Sequence, residues 1–214
     1  RGCNDGGFSL KYFLQKRREH GLPSWVVFVD LEKAFDTVSR EALWKVLHKF
    51  GLPDHLINLI IALHTDFSIK IRSGLRDIQL PYTTGVKQGD SLAPVLFNIY
   101  FQACIEVLDC RWNAERPFFC HRDDSTLTGR DRCTPGTLST FYRSLYADDG
   151  AFILTSRKDL DDHIPLLFTT LQDFGLKMHI GRGDERGKTE AMFFPAASDI
   201  IRPNTSPSSA TSAS

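Results

Sequence analysis

No run of roughly 18 uninterrupted apolar residues occurs in this chain, so no membrane span is expected. No excess of charge of either sign occurs either: 26 basic residues balance 26 acidic ones. That balance argues mildly against a segment that grips nucleic acid by bulk charge, leaving room only for contacts spread over several parts of a molecule. The N-terminus lacks the charged-then-apolar pattern of a secretory signal. The five cysteines are an odd number without regular spacing, which fits reduced thiols in an intracellular compartment better than a disulfide framework. Cys110, Cys120, His121 and Cys133 match no common zinc spacing.

What is present suits one compact domain with a tail. The apolar run Trp25–Val29 is rich in β-branched residues and predicts a strand buried on both faces. Leu10 to Glu19 has helical character, stopped by Gly21-Leu22-Pro23. Ser39 is placed to cap a helix carrying Leu43, Trp44, Leu47 and Phe50, closed by Gly51. Pro53 opens another through Leu56, Ile57, Ile60 and Leu63. Segments 68–72 and 78–82 flank Gly74 as a hairpin. Ser91 is expected to cap a central helix with apolar residues on several faces, including Leu92, Val95, Leu96, Phe97 and Phe101. Residues 109–140 read as a polar surface excursion. A second hairpin spans 141–154, with Asp149-Gly150 as its turn. Ser156-x-x-Asp159 predicts a capping box for a helix that Pro165 should kink or delay, and Met192–Phe194 reads as a last strand. From Pro195 to Ser214 the composition is that of a disordered tail. The order predicts an α+β fold with helices on one face of a sheet.

Three carboxylates stand out. Asp30 ends the buried run, and Asp148-Asp149 sit at the tip of the second hairpin. Like charges 4 Å apart repel by about 4 kcal/mol at an effective dielectric of ~20, and a bound cation reverses that penalty. Acids on a strand end and a hairpin tip can hold two divalent ions ~3.5–4 Å apart, the arrangement that drives in-line phosphoryl chemistry. Mg²⁺ suits such hard oxygen ligands, with Mn²⁺ as the alternative. The plainer reading makes Asp149-Gly150 a turn and Asp148 a solvated neighbour.

Four motifs carry a resemblance. Phe28-Val29-Asp30-Leu31-Glu32-Lys33-Ala34-Phe35-Asp36, then Gly85-Val86-Lys87-Gln88-Gly89-Asp90-Ser91-Leu92-Ala93-Pro94, then Tyr146-Ala147-Asp148-Asp149, then Gly175-Leu176 with Lys188-Thr189-Glu190, occur in order. Together they resemble the palm motifs of reverse transcriptases, most of all those of non-LTR (LINE-like) retrotransposons, across residues 1–194.

The resemblance implies a palm-type antiparallel sheet with partial fingers and no thumb. The activity it implies is that of an RNA-directed DNA polymerase working on an RNA template, a DNA primer and a dNTP. Asp30 and Asp148 would ligate two metal ions, Asp149 would complete the acid cluster, and the Leu31 carbonyl would join the coordination. Phe35 would sit under the incoming sugar and favour deoxynucleotides. Gln88 and Gly89 would lie against the templating pair, Tyr146 and Ala147 at the primer end, and Lys188 near the triphosphate. Without the motifs, Phe35 reads as a core aromatic, Gln88 and Gly89 as a loop before a helix, and Lys188 as a surface lysine.

Two departures stand against the pattern. Residues 181–187 are an insertion expected to displace Lys188, and His179 replaces the usual Asn. The basic finger residues of the family are expected before Arg1, so this segment could fold without polymerising. Two other readings stay open: a decayed or domesticated module that binds nucleic acid or protein without catalysis, and an RNA-directed RNA polymerase, which should not want an aromatic gate at Phe35.

Overall fold

A computed structural model describes residues 2–65, 68–73, 76–87, 89–121, 137–181 and 187–197. Gln88, Gly74, Cys133, most of the insertion and nearly all of the tail lie outside the described residues. In chain order the elements are α1 (Cys3–Glu19), β1 (Ser24–Val29), α2 (Ala34–Thr37), α3 (Arg40–Lys49), α4 (Asp54–His64), β2 (Ser68–Ser73) and β3 (Arg76–Pro81). They continue as α5 (Ala93–Arg111), β4 (Phe118–His121), β5 (Thr137–Thr140), β6 (Arg143–Tyr146), β7 (Asp149–Leu154), α6 (Arg157–Asp173) and β8 (Glu190–Phe194).

The centre is a four-stranded antiparallel sheet in the order β6-β7-β1-β8. β1 pairs with β7 from Trp25↔Leu154 to Val29↔Gly150 and with β8 from Ser24↔Phe194 to Phe28↔Glu190. Alternation along the strands divides the core in two. Val27, Val29, Phe152 and Leu154 point to one face, where α3, α5 and α6 bring Leu43, Leu47, Phe97, Tyr100, Leu167 and Leu171. Val26, Ala151 and Ile153 point to the other, against Phe13 and Leu14 of α1 and Phe119 of β4. The expectation of a strand buried on both faces holds for β1. Helices confined to one face do not: α1 covers the second face.

That correction has a physical origin. α1 begins at Cys3 rather than Leu10, because Asp5 accepts a hydrogen bond from the Gly2 amide at 3.0 Å and sits in the first turn. A side chain at Gly6 would meet Ser144 Oγ at 2.9 Å, so the glycine lets the helix lie close on β6. Buried Arg17 then ties α1 down, donating to Ser24 Oγ (2.7 Å), the Pro23 carbonyl (2.9 Å) and the Phe118 carbonyl (2.6 Å).

Other expectations shift by smaller steps. Ser39 caps α3 by accepting from Ala42 N, but Phe50 is exposed and the buried pair is Leu43 and Leu47. In α4 the buried face is Ile57, Ile60 and His64, while Leu56 and Leu63 face solvent. α5 starts after Leu92, whose amide is satisfied by the Asp90 carboxylate (3.1 Å) rather than by Ser91, and Val95 is exposed. By length and composition α5 could cross a membrane, but Leu96, Phe97, Tyr100, Cys104, Ile105 and Leu108 are buried in the core. The described parts of the expected excursion, 109–121 and 137–140, hold regular structure, since α5 runs to Arg111 and β4 pairs with β5. Ser156 and Asp159 form the capping box, and α6 starts at Arg157 and continues through Pro165. The carbonyl four residues before that proline belongs to exposed Asp161, so losing its helical partner there costs little. The second hairpin turns at Ala147-Asp148, because Tyr146 pairs with Asp149.

Candidate active site

The register of β1 on β7 builds the site. Val29 pairs with Gly150, so the next step along both antiparallel strands sets Asp30 across from Asp149. Asp148 occupies the turn itself, beside Ala147, whose φ of 52° is left-handed backbone in a residue with a side chain. Tyr146, at the end of β6, is exposed at the same tip. Asp30, Asp148 and Asp149 are therefore brought to one end of the sheet.

The other edge of β1 adds Lys188. The Asp30 carbonyl accepts from His179 N at 2.9 Å, and Asp30 N donates to Thr189 Oγ1 at 3.4 Å. The His179 carbonyl in turn accepts from Lys188 N (3.1 Å) and Thr189 N (3.0 Å). These bonds close the chain on either side of the insertion and leave Lys188 Nζ 3.7 Å from Asp30 Oδ2. The expected displacement of Lys188 does not occur.

The cluster is electrostatically unbalanced. Partial burial and the neighbouring Asp148 and Asp30 charges push the Asp149 carboxyl above its ordinary range, with Lys188 acting in the opposite sense. Among the described residues, no three acidic, histidine or cysteine side chains converge closely enough to hold a metal ion as they stand. The Asp30 carboxylate is turned towards Lys188 instead. The donor set nevertheless fits a hard divalent cation: three carboxylates gather at one sheet end, burial and its two acidic neighbours push the Asp149 carboxyl up, and a cation relieves that repulsion. Leu31 forms an isolated bridge with Met178, flanked by bonds from Glu32 N to the Lys177 carbonyl (2.8 Å) and from His179 N to the Asp30 carbonyl.

Behind the acids, Phe35 is half-buried in α2 and stacks on Phe97 (centroids 4.7 Å apart), which stacks on Phe101. Phe35 and Gly89 line a common cleft of about 580 Å³ with Asp90, Ser91, Ala93 and Pro94. The anchor of that cleft escaped the sequence reading. Gly85 has φ 76°, donates to the Val38 carbonyl (2.9 Å) and lies so close to α2 that a Cβ would be 2.7 Å from Asp36 Cα. Val86 N bonds the Phe35 carbonyl at 2.9 Å. Arg40 donates to the Gly85 and His64 carbonyls and lies over the Tyr82 ring, and the Tyr82 hydroxyl donates to Asp36 Oδ1 at 2.9 Å. Gly85 and Thr189 were visible only as parts of motifs, and nothing in the sequence pattern announces Arg40 or Tyr82. The structure brings Asp30, Asp148, Asp149 and Lys188 together, and separately Phe35 and Gly89; Gln88 lies outside the described residues.

Comparison with known proteins gives the arrangement its lineage. The model of the family described as reverse transcriptase (RNA-dependent DNA polymerase) matches residues 1–181. A Pol polyprotein from the type-1 retrotransposable element R2 of Popillia japonica is 39% identical over 109 residues, covering 50% of this chain. That of the type-2 element R2DM of Drosophila melanogaster is 25% identical over 108 residues, again half of this chain. The chain spans only 17% and 10% of the lengths of these relatives. Among solved structures, telomerase from Candida tropicalis in complex with a fragment of telomeric RNA matches with a TM-score of 0.60 at 13% identity. That match covers 90% of this chain and 30% of the telomerase, and it speaks for the fold alone. With acids, cleft and match in agreement over most of its length, the chain belongs to the reverse transcriptase family.

Proposed function

We propose that residues 1–194 are the palm, with part of the fingers, of an RNA-directed DNA polymerase of the non-LTR retrotransposon type. The observation that carries this reading is the β1–β7 register, which sets Asp30 across from Asp149 with Asp148 in the adjoining turn. Asp30, Asp148 and Asp149, with the Leu31 carbonyl, are the groups that would hold two Mg²⁺ ions. When bound, these ions supply activation of the primer 3′-hydroxyl and stabilisation of the charge on the leaving pyrophosphate.

The chain's own residues do the positioning. Phe35, backed by Phe97, presents a rigid ring on which a deoxyribose fits and against which a 2′-hydroxyl clashes. Gly89, with Gln88 beside it, lets backbone approach the templating base pair closely. Tyr146 and Ala147 face the primer end from the tip of the hairpin. Lys188, held beside Asp30, neutralises or protonates the triphosphate side. Template, primer and dNTP are the partners this arrangement serves.

Primer extension on an RNA template with Mg²⁺, using the full-length protein and its Asp148→Asn variant, tests the proposal. Extension with deoxynucleotides that vanishes in the variant is expected. A well-folded protein that does not extend would leave a non-catalytic binding module as the better account, and a variant that extends as well as its parent would overturn the assignment of Asp148 to the metal site.

A further inference from the structure

Lys188 is about two-thirds exposed and follows directly on a segment that departs from the family pattern. A long, exposed lysine side chain loses much rotamer entropy when held in one place, so its direction depends on how firmly its backbone is fixed. Here one residue holds the Lys188 amide. His179 is bonded through its amide to the Asp30 carbonyl and through its carbonyl to Lys188 N and Thr189 N. Its ring adds a further contact: Nδ1 accepts from Lys188 N at 3.3 Å, so the Lys188 amide is shared between the His179 carbonyl and the His179 ring. Such a three-centre bond gives the Lys188 amide two acceptors, both supplied by His179.

We propose that the His179 side chain is a positioning residue for Lys188, directing its ammonium to the Asp30 edge of the acid cluster. This rests on the reading of that cluster as a polymerase centre. The chemistry explains the departure from the usual asparagine. The acceptor Nδ1 is one bond beyond Cγ, where an asparagine carries its amide oxygen, so the two residues offer an acceptor at nearly the same reach. Acceptance by Nδ1 requires a lone pair there, with the ring proton on Nε2. Leucine has similar bulk and no acceptor, which makes it the informative replacement.

The test is a comparison of His179→Leu, His179→Asn, Lys188→Ala and the double variant His179→Leu/Lys188→Ala in the full-length protein. It is read by single-turnover nucleotide addition and by amide hydrogen exchange at Lys188. Expected are a loss of about tenfold in addition rate for His179→Leu, near-parental rates for His179→Asn, and no further loss from His179→Leu in the Lys188→Ala background, the non-additivity of residues acting as one unit. Exchange at Lys188 should quicken several-fold in His179→Leu while amides of β1 and β7 keep their protection. A loss that persists undiminished without Lys188, or a His179→Asn variant as slow as His179→Leu, would overturn the assignment. If the parent protein does not extend primers at all, the polymerase reading fails by itself. Exchange then judges the clamp, and unchanged protection at Lys188 refutes it.

Discussion

Replacing Gly85 by alanine asks one residue to do two things its position forbids. The first is conformational: φ 76° lies in the left-handed region, where a Cβ costs roughly 1–2 kcal/mol. The second is steric. The added carbon would stand 2.7 Å from Asp36 Cα and 2.8 Å from both the Asp36 and Phe35 carbonyl oxygens. All three are backbone atoms, so no side chain can swing aside, and the loop must lift from α2. Lifting breaks the bonds from Gly85 N to Val38 O and from Val86 N to Phe35 O, each worth about 1 kcal/mol net. The expected loss is therefore about 3–4 kcal/mol, or a fall in Tm on the order of 6–16 °C for a chain of this size. Gly21 provides the control, since its φ of 71° is as strained while a Cβ there meets nothing within 4 Å. Gly21→Ala should cost only the conformational part, about 1–2 kcal/mol. Urea unfolding at unchanged m-value measures both. Equal losses in the two variants would refute the argument that close approach, rather than backbone strain, is what Gly85 supplies.

Two further perturbations have definite outcomes. Arg17→Met removes the fork that satisfies Ser24, Pro23 and Phe118 inside the α1 interface, and urea unfolding should register a loss of about 3–5 kcal/mol. Arg17→Lys should recover only part, because one ammonium cannot match three separated acceptors. Asp149 has a folded-state pKa raised above its unfolded value, so the native protein binds more protons in that window and its stability falls as pH rises through it. Asp149→Asn should gain a few tenths of a kcal/mol at neutral pH, the site being too exposed for more, and the gain should vanish below the ordinary carboxylate range of about 4. Added Mg²⁺ should raise the neutral-pH Tm of the parent protein more than that of Asp149→Asn. An acid-independent difference in unfolding midpoints would show that charge is not the cause.

The sequence disclosed those parts of the fold whose signals are local. β1 is a continuous apolar run, Ser39 and the Ser156–Asp159 box announce helix starts, and Gly51 and Gly175 close helices with φ of 82° and 72°. The acids, Phe35 and Gly89 were legible because ordered motifs carry them. What stayed hidden depends on partners far away in the chain. Leu56 and Leu63 have the right spacing for a core stripe, yet Ile57 and Ile60 face the core, because a short apolar helix offers several faces and packing selects one. Asp149-Gly150 has the composition of a turn, but the pairing of Tyr146 with Asp149 puts the turn one step earlier, at a left-handed alanine that no propensity favours. The placement of α1 on the second face follows from Gly6 against Ser144 and from Arg17 reaching Phe118, contacts that no periodicity encodes.

The position of β1 at the middle of the sheet also governs how the protein must be made. Its six residues, Ser24 to Val29, carry no charge and no proline, the composition of a segment prone to pair with copies of itself. Both of its native neighbours, β7 and β8, lie in the last third of the chain. On the ribosome the strand that delivers Asp30 therefore emerges long before anything native can cover its edges, leaving α1 to shield one face alone. Pairings between such distant segments form slowly and leave sticky intermediates exposed. Loosening α1, as at Arg17, should therefore lower the yield of soluble protein from translation more than the stability of the finished fold would suggest.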